Sequence, residues 1–238
     1  MATTIRVGMV LYQGCTLLDF AGATQVFAFV PGFSVVWLAP TLDSITTTEN
    51  VSVMPGATFA DAGALDIVFV PGGGDAVGTV MQDPTYVDFV RTAGTQARLA
   101  GSICTGAFLV AAAGLFDGHE VTTYWSQKEN LALFPNLKVA AGYPRWVISG
   151  NRFSGGGISS SIDLALELVD AISGPTQSMT TQLSVQYAPS PPFQSGDPSQ
   201  APPEVTAAVL HSQQSFTAAV RAGVEAVQGG SSQRLRAC

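Results

Sequence analysis

The chain has 238 residues, of which 47% fall in the apolar and aromatic class AVILMFWYC and only 11% are charged, against about 25% charged in an average soluble domain. Mean hydropathy is +0.31, yet neither charge-free segment reads as a membrane span: Phe20 to Leu42 is broken by Pro31-Gly32, and Leu99 to Phe116 carries Gly101, Ser102, Thr105, Gly106 and Gly114, whereas a spanning helix needs about 20 predominantly apolar residues. Seventeen acids against ten bases leave a net charge of −7 with no cluster of Lys and Arg before the last five residues, which excludes nucleic acid as a partner.

The first apolar run, Val7 to Tyr12, is shorter than a secretory signal core. It is read as part of a first strand, Ile5 to Leu11, of a cytoplasmic protein. A helix is predicted from Asp19 to Phe29 and a strand over Phe33 to Ala39. Asp66 to Val70 forms a strand that ends in the turn P-G-G-G, and Asp83-Pro84 opens a helix with proline in its first turn. Leu99 to Ile103 is a strand, followed by a helix from Thr105 to Ala113. Shorter β-rich pieces lie at Glu120 to Thr123, Leu137 to Ala140 and Trp146 to Ser149, before a second glycine turn at Gly155 to Gly157. Helices follow at Ile158 to Ala171 and around Thr176 to Tyr187. This alternation predicts an α/β fold with a largely parallel sheet.

Six prolines between Pro189 and Pro203 predict a surface crossing over 188–203. Val205, Val209, Phe216, Val220 and Val224 then recur at helical spacing, predicting one helix over 204–227 with one face covered. The end, 229–238, lacks periodicity and reads as a flexible tail. With no break between two cores, 1–228 is expected to be a single domain, its core spanning 1–187.

Three cysteines, Cys15, Cys104 and Cys238, are an odd count with no C-x-x-C pair, which argues against a disulfide framework and against a zinc site. Cys104 stands where an apolar strand runs into a helix, with Ser102 and Gly106 two positions to either side, the layout of a nucleophile elbow. The helix N-terminus behind it is expected to lower the thiol pKa. The same pattern also suits a small core side chain. Neither His119, in the D-G-H-E turn, nor His211, on the last helix, adjoins Cys104, so a Cys-His dyad is not expected. Asp19, among Leu17, Leu18 and Phe20, follows the first strand, where open α/β sheets bind ligands. It reads as a buried acid of raised pKa or as a helix N-cap. The glycine turns offer N–H groups to an anion or serve as structural turns; neither has a nucleotide-binding spacing.

V-P-G-G-G, S-I-C-T-G-A-F-L-V-A-A-A-G-L-F-D-G, T-T-Y-W-S and G-G-G-I-S-S-S-I-D-L-A-L together resemble the ThiJ/PfpI superfamily, from the first strand through Tyr187. The resemblance implies a class I glutamine amidotransferase-like, flavodoxin-like three-layer α/β sandwich with a mostly parallel central sheet and a cysteine nucleophile elbow. L-L-D-F-A-G, Cys-Thr at the elbow and Q-Y-A-P-S-P-P-F look most like the isocyanide hydratases, which turn R–N≡C and water into an N-substituted formamide as homodimers and without a cofactor. By position, this implies Cys104 as nucleophile, Asp19 as acid/base and Thr105 as its hydrogen-bonding neighbour. It places Gly73 and Gly74 on the anion-stabilising side and Ile158 on a helix packed near the cysteine. Two departures stand out: Thr105 occupies a position that is histidine in peptidase-like members, and Tyr124 one that is histidine in many relatives, so Tyr124 bears on substrate preference.

Two other readings share the elbow. The sensor domain of AraC-type regulators has C-T-G-A-F and continues into a basic helix-turn-helix domain, for which the chain is expected to be too short. A redox or glyoxalase-like member would fit a glutamate, rather than Asp19, beside the cysteine. The apolar face of the last helix predicts covering by a second subunit.

Overall fold

The runs richest in Val, Ile and Phe are buried on both sides in alternate and successive positions, as parallel strands covered by helices on each face require. The computed structural model describes residues 4–235. In chain order it contains β1 (Ile5–Val10), α1 (Leu17–Ala28), β2 (Phe33–Ala39), a small hairpin of β3 (Ile45–Thr46) and β4 (Ser52–Val53), β5 (Ala57–Thr58), β6 (Ile67–Val70), α2 (Ala76–Val80) and α3 (Pro84–Gln96). Then come β7 (Leu99–Ser102), α4 (Gly106–Ala112), β8 (Glu120–Val121), α5 (Lys128–Leu131), β9 (Lys138–Val139), β10 (Trp146–Ser149), β11 (Arg152–Gly155), α6 (Ser160–Ser173), α7 (Pro175–Ser184), α8 (Pro203–Ser212) and α9 (Gln214–Leu235).

Seven strands form the central sheet in the order β10-β11-β7-β6-β1-β2-β5. All neighbours are parallel except β10 on β11. The chain steps from β1 to β2 on one side and then returns to add β6 and β7 on the other. The carboxyl ends of β1 and β6 therefore flank the point where strand order reverses, the place such sheets reserve for ligands. Helices α1, α6 and α7 pack together on one face; α2, α3 and α4, backed by α9, cover the other. The three-layer sandwich expected from the resemblance is the fold observed.

Both charge-free runs feed the core, the first only in part, since Phe29 and Leu42 are 48% and 53% exposed. Phe20, fully buried on α1, meets the edge of Trp37 on β2 with ring centroids 5.1 Å apart. In the second run every residue of α4 from Gly106 to Ala111 is buried. Among the described residues no helix is long and apolar enough to cross a membrane. Asp83 caps α3 by accepting from the Thr85 N–H at 2.8 Å, with Pro84 in the first turn, as the sequence implied.

Three features depart from the sequence expectations. Strands β3, β4, β5 and β11 and helices α2 and α5 were not anticipated: each has only two to five residues, too few to show a period. The helix expected over 204–227 is two, interrupted at Gln213, whose side chain is held by another part of the chain. Helix α9 also continues to Leu235, through most of the stretch read as a flexible tail, because extending a formed helix costs far less than starting one. Residues 236–238, Cys238 included, lie outside the described residues.

The apolar face of α9 is covered within the chain. Val220 and Val224 are fully buried, and α9 packs against α2, α4 and α5. That removes the helix as a reason for a second subunit. The crossing with α2 is close: a Cβ on Gly78 would stand 2.6 Å from Ala219 O, and one on Gly223 would stand 2.4 Å from Gly78 O. Backbone atoms cannot swing aside, so any side chain there pries α9 from its seat.

Gly223→Ala tests this. Helix propensity alone favours alanine by about 1 kcal/mol, but the forced separation costs about 1–3 kcal/mol, so the variant is expected to be less stable in denaturant unfolding. Gly229→Ala, on the same helix with nothing within 4 Å of the new Cβ, is expected to gain stability.

Candidate active site

Strand β7 delivers the chain to Cys104 with φ +55, a left-handed conformation that costs a residue with a Cβ about 1–3 kcal/mol. Neighbouring backbone pins it there. The Cys104 N–H donates to Gly155 O at 3.1 Å, and Cys104 O accepts from Thr123 Oγ1 at 2.8 Å. Gly72 packs onto the elbow so tightly that a Cβ on it would lie 2.8 Å from Cys104 Cβ, Thr105 N and Thr105 Oγ1. Cys104 itself is buried at the carboxyl end of β7, 7% exposed.

Asp19 reaches the same point from α1. It is wholly buried. Its Oδ2 accepts from the Gly72 N–H at 2.7 Å, while Oδ1 is buried with no hydrogen-bond partner. Burial raises its pKa from the ordinary 3.8 to about 8; the Gly72 N–H opposes this and the Glu49 carboxylate adds to it. The raised-pKa acid expected from sequence is therefore found, but the helix cap is not. Thr16 occupies the N-cap position, and the free Leu17 N–H is met by Glu49 Oε2 at 3.0 Å. Leu18, expected to shield the carboxyl, is 43% exposed, whereas Phe20 is fully buried.

The thiol differs from the expectation. Burial, then the field of Asp19, push the Cys104 thiol up, and hydrogen bonds from the Thr105 N–H and hydroxyl offset this only in part. Helix α4 has seven residues, and its N-terminus does not overcome desolvation. At neutral pH both Asp19 and Cys104 hold their protons, so the site rests uncharged and a charge is created only when the thiol reacts. Two further buried groups share this environment. Cys15, bridged to Gly73, is pushed to about 12, chiefly by burial. Tyr12 donates to Pro71 O at 2.9 Å.

Of the residues singled out from sequence, Cys104, Asp19, Thr105 and Gly73 meet. Thr105 Oγ1 accepts from the Gly73 N–H at 3.1 Å and faces Gly73 O at 2.9 Å. Gly73 thus has its N–H committed to Thr105 rather than facing an anion. Gly74 turns away toward Thr48, 3.4 Å from where its Cβ would be. Ile158 lies in the turn before α6, 40% exposed, not on the helix itself; Ile103 and Leu164 are the apolar side chains nearest the Gly155 backbone. The Tyr124 ring edges Gly157, 3.7 Å from where a Cβ would be, and its hydroxyl accepts from Gln213 Nε2 at 2.9 Å. Gly72, Thr123 and Gly155 were not singled out individually, although each lies within a quoted motif.

Neither histidine is at the site. His119 Nδ1 sits 3.2 Å from Ser149 Oγ, at the end of the β10–β11 hairpin opposite Gly155, and His211 is exposed on α8. Among the described residues no three His, Cys, Asp or Glu side chains group to hold a metal. The arrangement is a nearly dry, histidine-free pair of proton-bearing groups, one a nucleophile and one an acid.

Comparison with known proteins places the fold in a family. The model of the DJ-1/PfpI family matches residues 5–171. Isonitrile hydratase of Pseudomonas putida is 37% identical over 201 residues, covering 84% of this chain and 86% of that protein. The HTH-type transcriptional regulator GbdR of Pseudomonas aeruginosa is 29% identical over 171 residues, which are 68% of this chain but 45% of the regulator. The crystal structure of a ThiJ/PfpI family protein from Pseudomonas syringae superposes with a TM-score of 0.88 at 30% identity, over 93% of this chain and 90% of that one. Drosophila melanogaster DJ-1beta shares the fold, with a TM-score of 0.70 at 20% identity over 79% of this chain and all of that one.

The Asp19 shift has a consequence for stability. A carboxyl whose pKa is higher folded than unfolded binds more protons in the folded state between about 4 and about 8, so its contribution is present below pH 4 and is lost as pH rises to 8. Asp19→Asn is expected to remove that slope and to raise the melting temperature at pH 8, by roughly 2–4 °C for each kcal/mol recovered. Thermal melts of both proteins from pH 4 to 9 check it; parallel curves would mean that Asp19 is not protonated in the folded protein.

Proposed function

Because the chain belongs to the DJ-1/PfpI family, we propose that its elbow performs the reaction to which its 37% identity with isonitrile hydratase points: hydration of an isocyanide, R–N≡C, to an N-substituted formamide by a cofactor-independent lyase. The observation that carries this is Asp19. A buried acid of pKa about 8 beside a thiol, with no histidine near, suits a substrate that needs a proton on carbon and has no amine to expel.

The thiol adds to the terminal carbon. A C–S bond forms, and the S–H proton reaches the carbon by way of the Asp19 carboxyl, giving the thioimidate R–N=CH–S–Cys104. Water then adds to that carbon, with its proton going to nitrogen. The C–S bond breaks, sulfur recovers a proton and R–NH–CHO leaves. The Thr105 N–H faces the sulfur while it carries charge, and its hydroxyl has a single proton to share between Gly73 O and the sulfur. A small, uncharged, apolar substrate fits surroundings from which charge is absent.

A sensor role is the second reading, favoured by the matches to regulators; the chain spans under half the length of the P. aeruginosa regulator. Turnover separates the two. The protein also acts, on the leading reading, in the cytoplasm and as a homodimer. Apolar side chains exposed on one layer, Leu18 on α1 and Met179 and Leu183 on α7, at 43%, 61% and 81%, support a partner surface there.

Purified protein is expected to release formamide from alkyl or aryl isocyanides, with Cys104→Ala abolishing release and Asp19→Asn slowing it by about 10²-fold or more. The rate is expected to fall as pH rises through about 8, where Asp19 loses its proton. Normal turnover by Cys104→Ala defeats the covalent route, and lactate from methylglyoxal would replace the hydratase reading with a glyoxalase-like one. Size-exclusion chromatography is expected to give twice 24.6 kDa.

A further inference from the structure

The C-terminal helices lie beyond residues 5–171 matched by the family model, yet a polar chain rooted in two buried amides ties them to the loop of Thr123 and Tyr124. Asn130 and Gln127 are 3% and 0% exposed. Asn130 Nδ2 donates to Thr217 O and to Gln127 Oε1, both at 3.0 Å. Gln127 Nε2 donates to Thr217 Oγ1 at 2.9 Å and to Ser126 Oγ at 3.1 Å. Ser126 Oγ donates to Gln213 Oε1 at 2.8 Å, and Gln213 Nε2 donates to the Tyr124 hydroxyl at 2.9 Å.

The polarity of this chain is fixed at one end. Thr217 O is a backbone carbonyl and can only accept, so the Asn130 amide must present its nitrogen. Gln127 then faces it with oxygen and turns its nitrogen on Ser126. The Ser126 proton goes to Gln213 Oε1. Gln213 therefore offers its N–H to Tyr124, whose oxygen is the acceptor and whose own proton remains to donate elsewhere.

Tyr124 is joined to the elbow through its neighbours. The preceding residue, Thr123, bonds Cys104 O, and the ring edges Gly157, two residues past the Gly155 carbonyl that holds the Cys104 N–H. We infer that Gln213, at the junction of α8 and α9, is a positioning residue that holds the Tyr124 phenol as a hydrogen-bond donor to the substrate. This deepens the hydratase reading and rests on it for the nature of that acceptor. An isocyanide nitrogen has no free lone pair, whereas the thioimidate nitrogen does, so a phenol proton acts on the second half of the reaction. It draws electrons from the carbon that water attacks. The interruption of the C-terminal helix at Gln213 thus has a role: it frees a side chain from the helical register to reach Tyr124.

The test compares Tyr124→Phe, Gln213→Leu, Gln213→Glu and the Tyr124→Phe/Gln213→Leu pair. Glutamate keeps the size of Gln213 but carries no N–H, so it draws the Tyr124 proton to itself. Each single variant is expected to lower kcat about tenfold, the worth of one hydrogen bond, with KM little changed and a Cys104 adduct accumulating in intact-mass spectra. The pair is expected to be no slower than Tyr124→Phe alone. Wild-type kcat in both Gln213 variants, or losses that multiply in the pair, overturns the inference. A readout without turnover keeps it separate from the hydratase reading. In protein labelled with 3-fluorotyrosine, the Tyr124 resonance, identified by its loss in Tyr124→Phe, is expected to shift in both Gln213 variants while the other four stay in place. An unmoved Tyr124 resonance refutes the positioning even if isocyanides are turned over. A moved resonance with no isocyanide turnover by wild type sinks the hydratase reading and leaves the positioning standing.

Discussion

The site depends on one tight contact, the seating of the Gly72 backbone between Asp19 and Cys104. Its N–H binds the Asp19 carboxyl at 2.7 Å, and the space its missing side chain leaves is filled by Cys104 Cβ and Thr105. Three separate elements, the start of α1, the turn after β6 and the elbow after β7, are held in register by it. The sheet makes this possible, because β1, β6 and β7 are adjacent and parallel and so open their carboxyl ends at one level. Any side chain at residue 72 would push the acid and the thiol apart.

That closeness sets the electrostatics. A desolvated carboxyl next to a desolvated thiol cannot ionise without cost, and here burial outweighs the hydrogen bonds offered to either group. The result is a resting site without charge, opposite to the exposed, electropositive surroundings that make many cysteines reactive. Such a site favours reagents that are themselves uncharged and apolar and that accept a nucleophile and a proton together. The scarcity of charge in the whole chain becomes local chemistry here: Phe20, Phe69 and the buried α4 leave little water to screen or supply protons.

The C-terminal helices are more than a cover. Val220 and Val224 anchor α9 to the main body through α2, and the same helix carries the polar chain to the loop bearing Thr123 and Tyr124. Apolar packing fixes where the helix lies, and a satisfied hydrogen-bond network holds the loop, with the two buried amides, Asn130 and Gln127, oriented by the Thr217 carbonyl.

Much of this was legible in the residues. Hydrophobic runs located β2 and β10 to the residue, Asp83-Pro84 announced α3, and the strand-to-helix step at Cys104 announced the elbow; all are local patterns read over a few neighbours. Asp19 was legible as a buried acid because its flanks are apolar. What the sequence could not determine depends on contacts between distant parts: that Thr105 claims the Gly73 N–H, that Glu49 rather than Asp19 serves the start of α1, that burial overrides the helix end in raising the thiol pKa, and that the last helix breaks at Gln213. Apolar periodicity predicts which side of an element is buried. Only the fold decides which partner meets it there, because a hydrogen bond or a desolvation penalty belongs to the pair of surfaces and not to either strand of sequence.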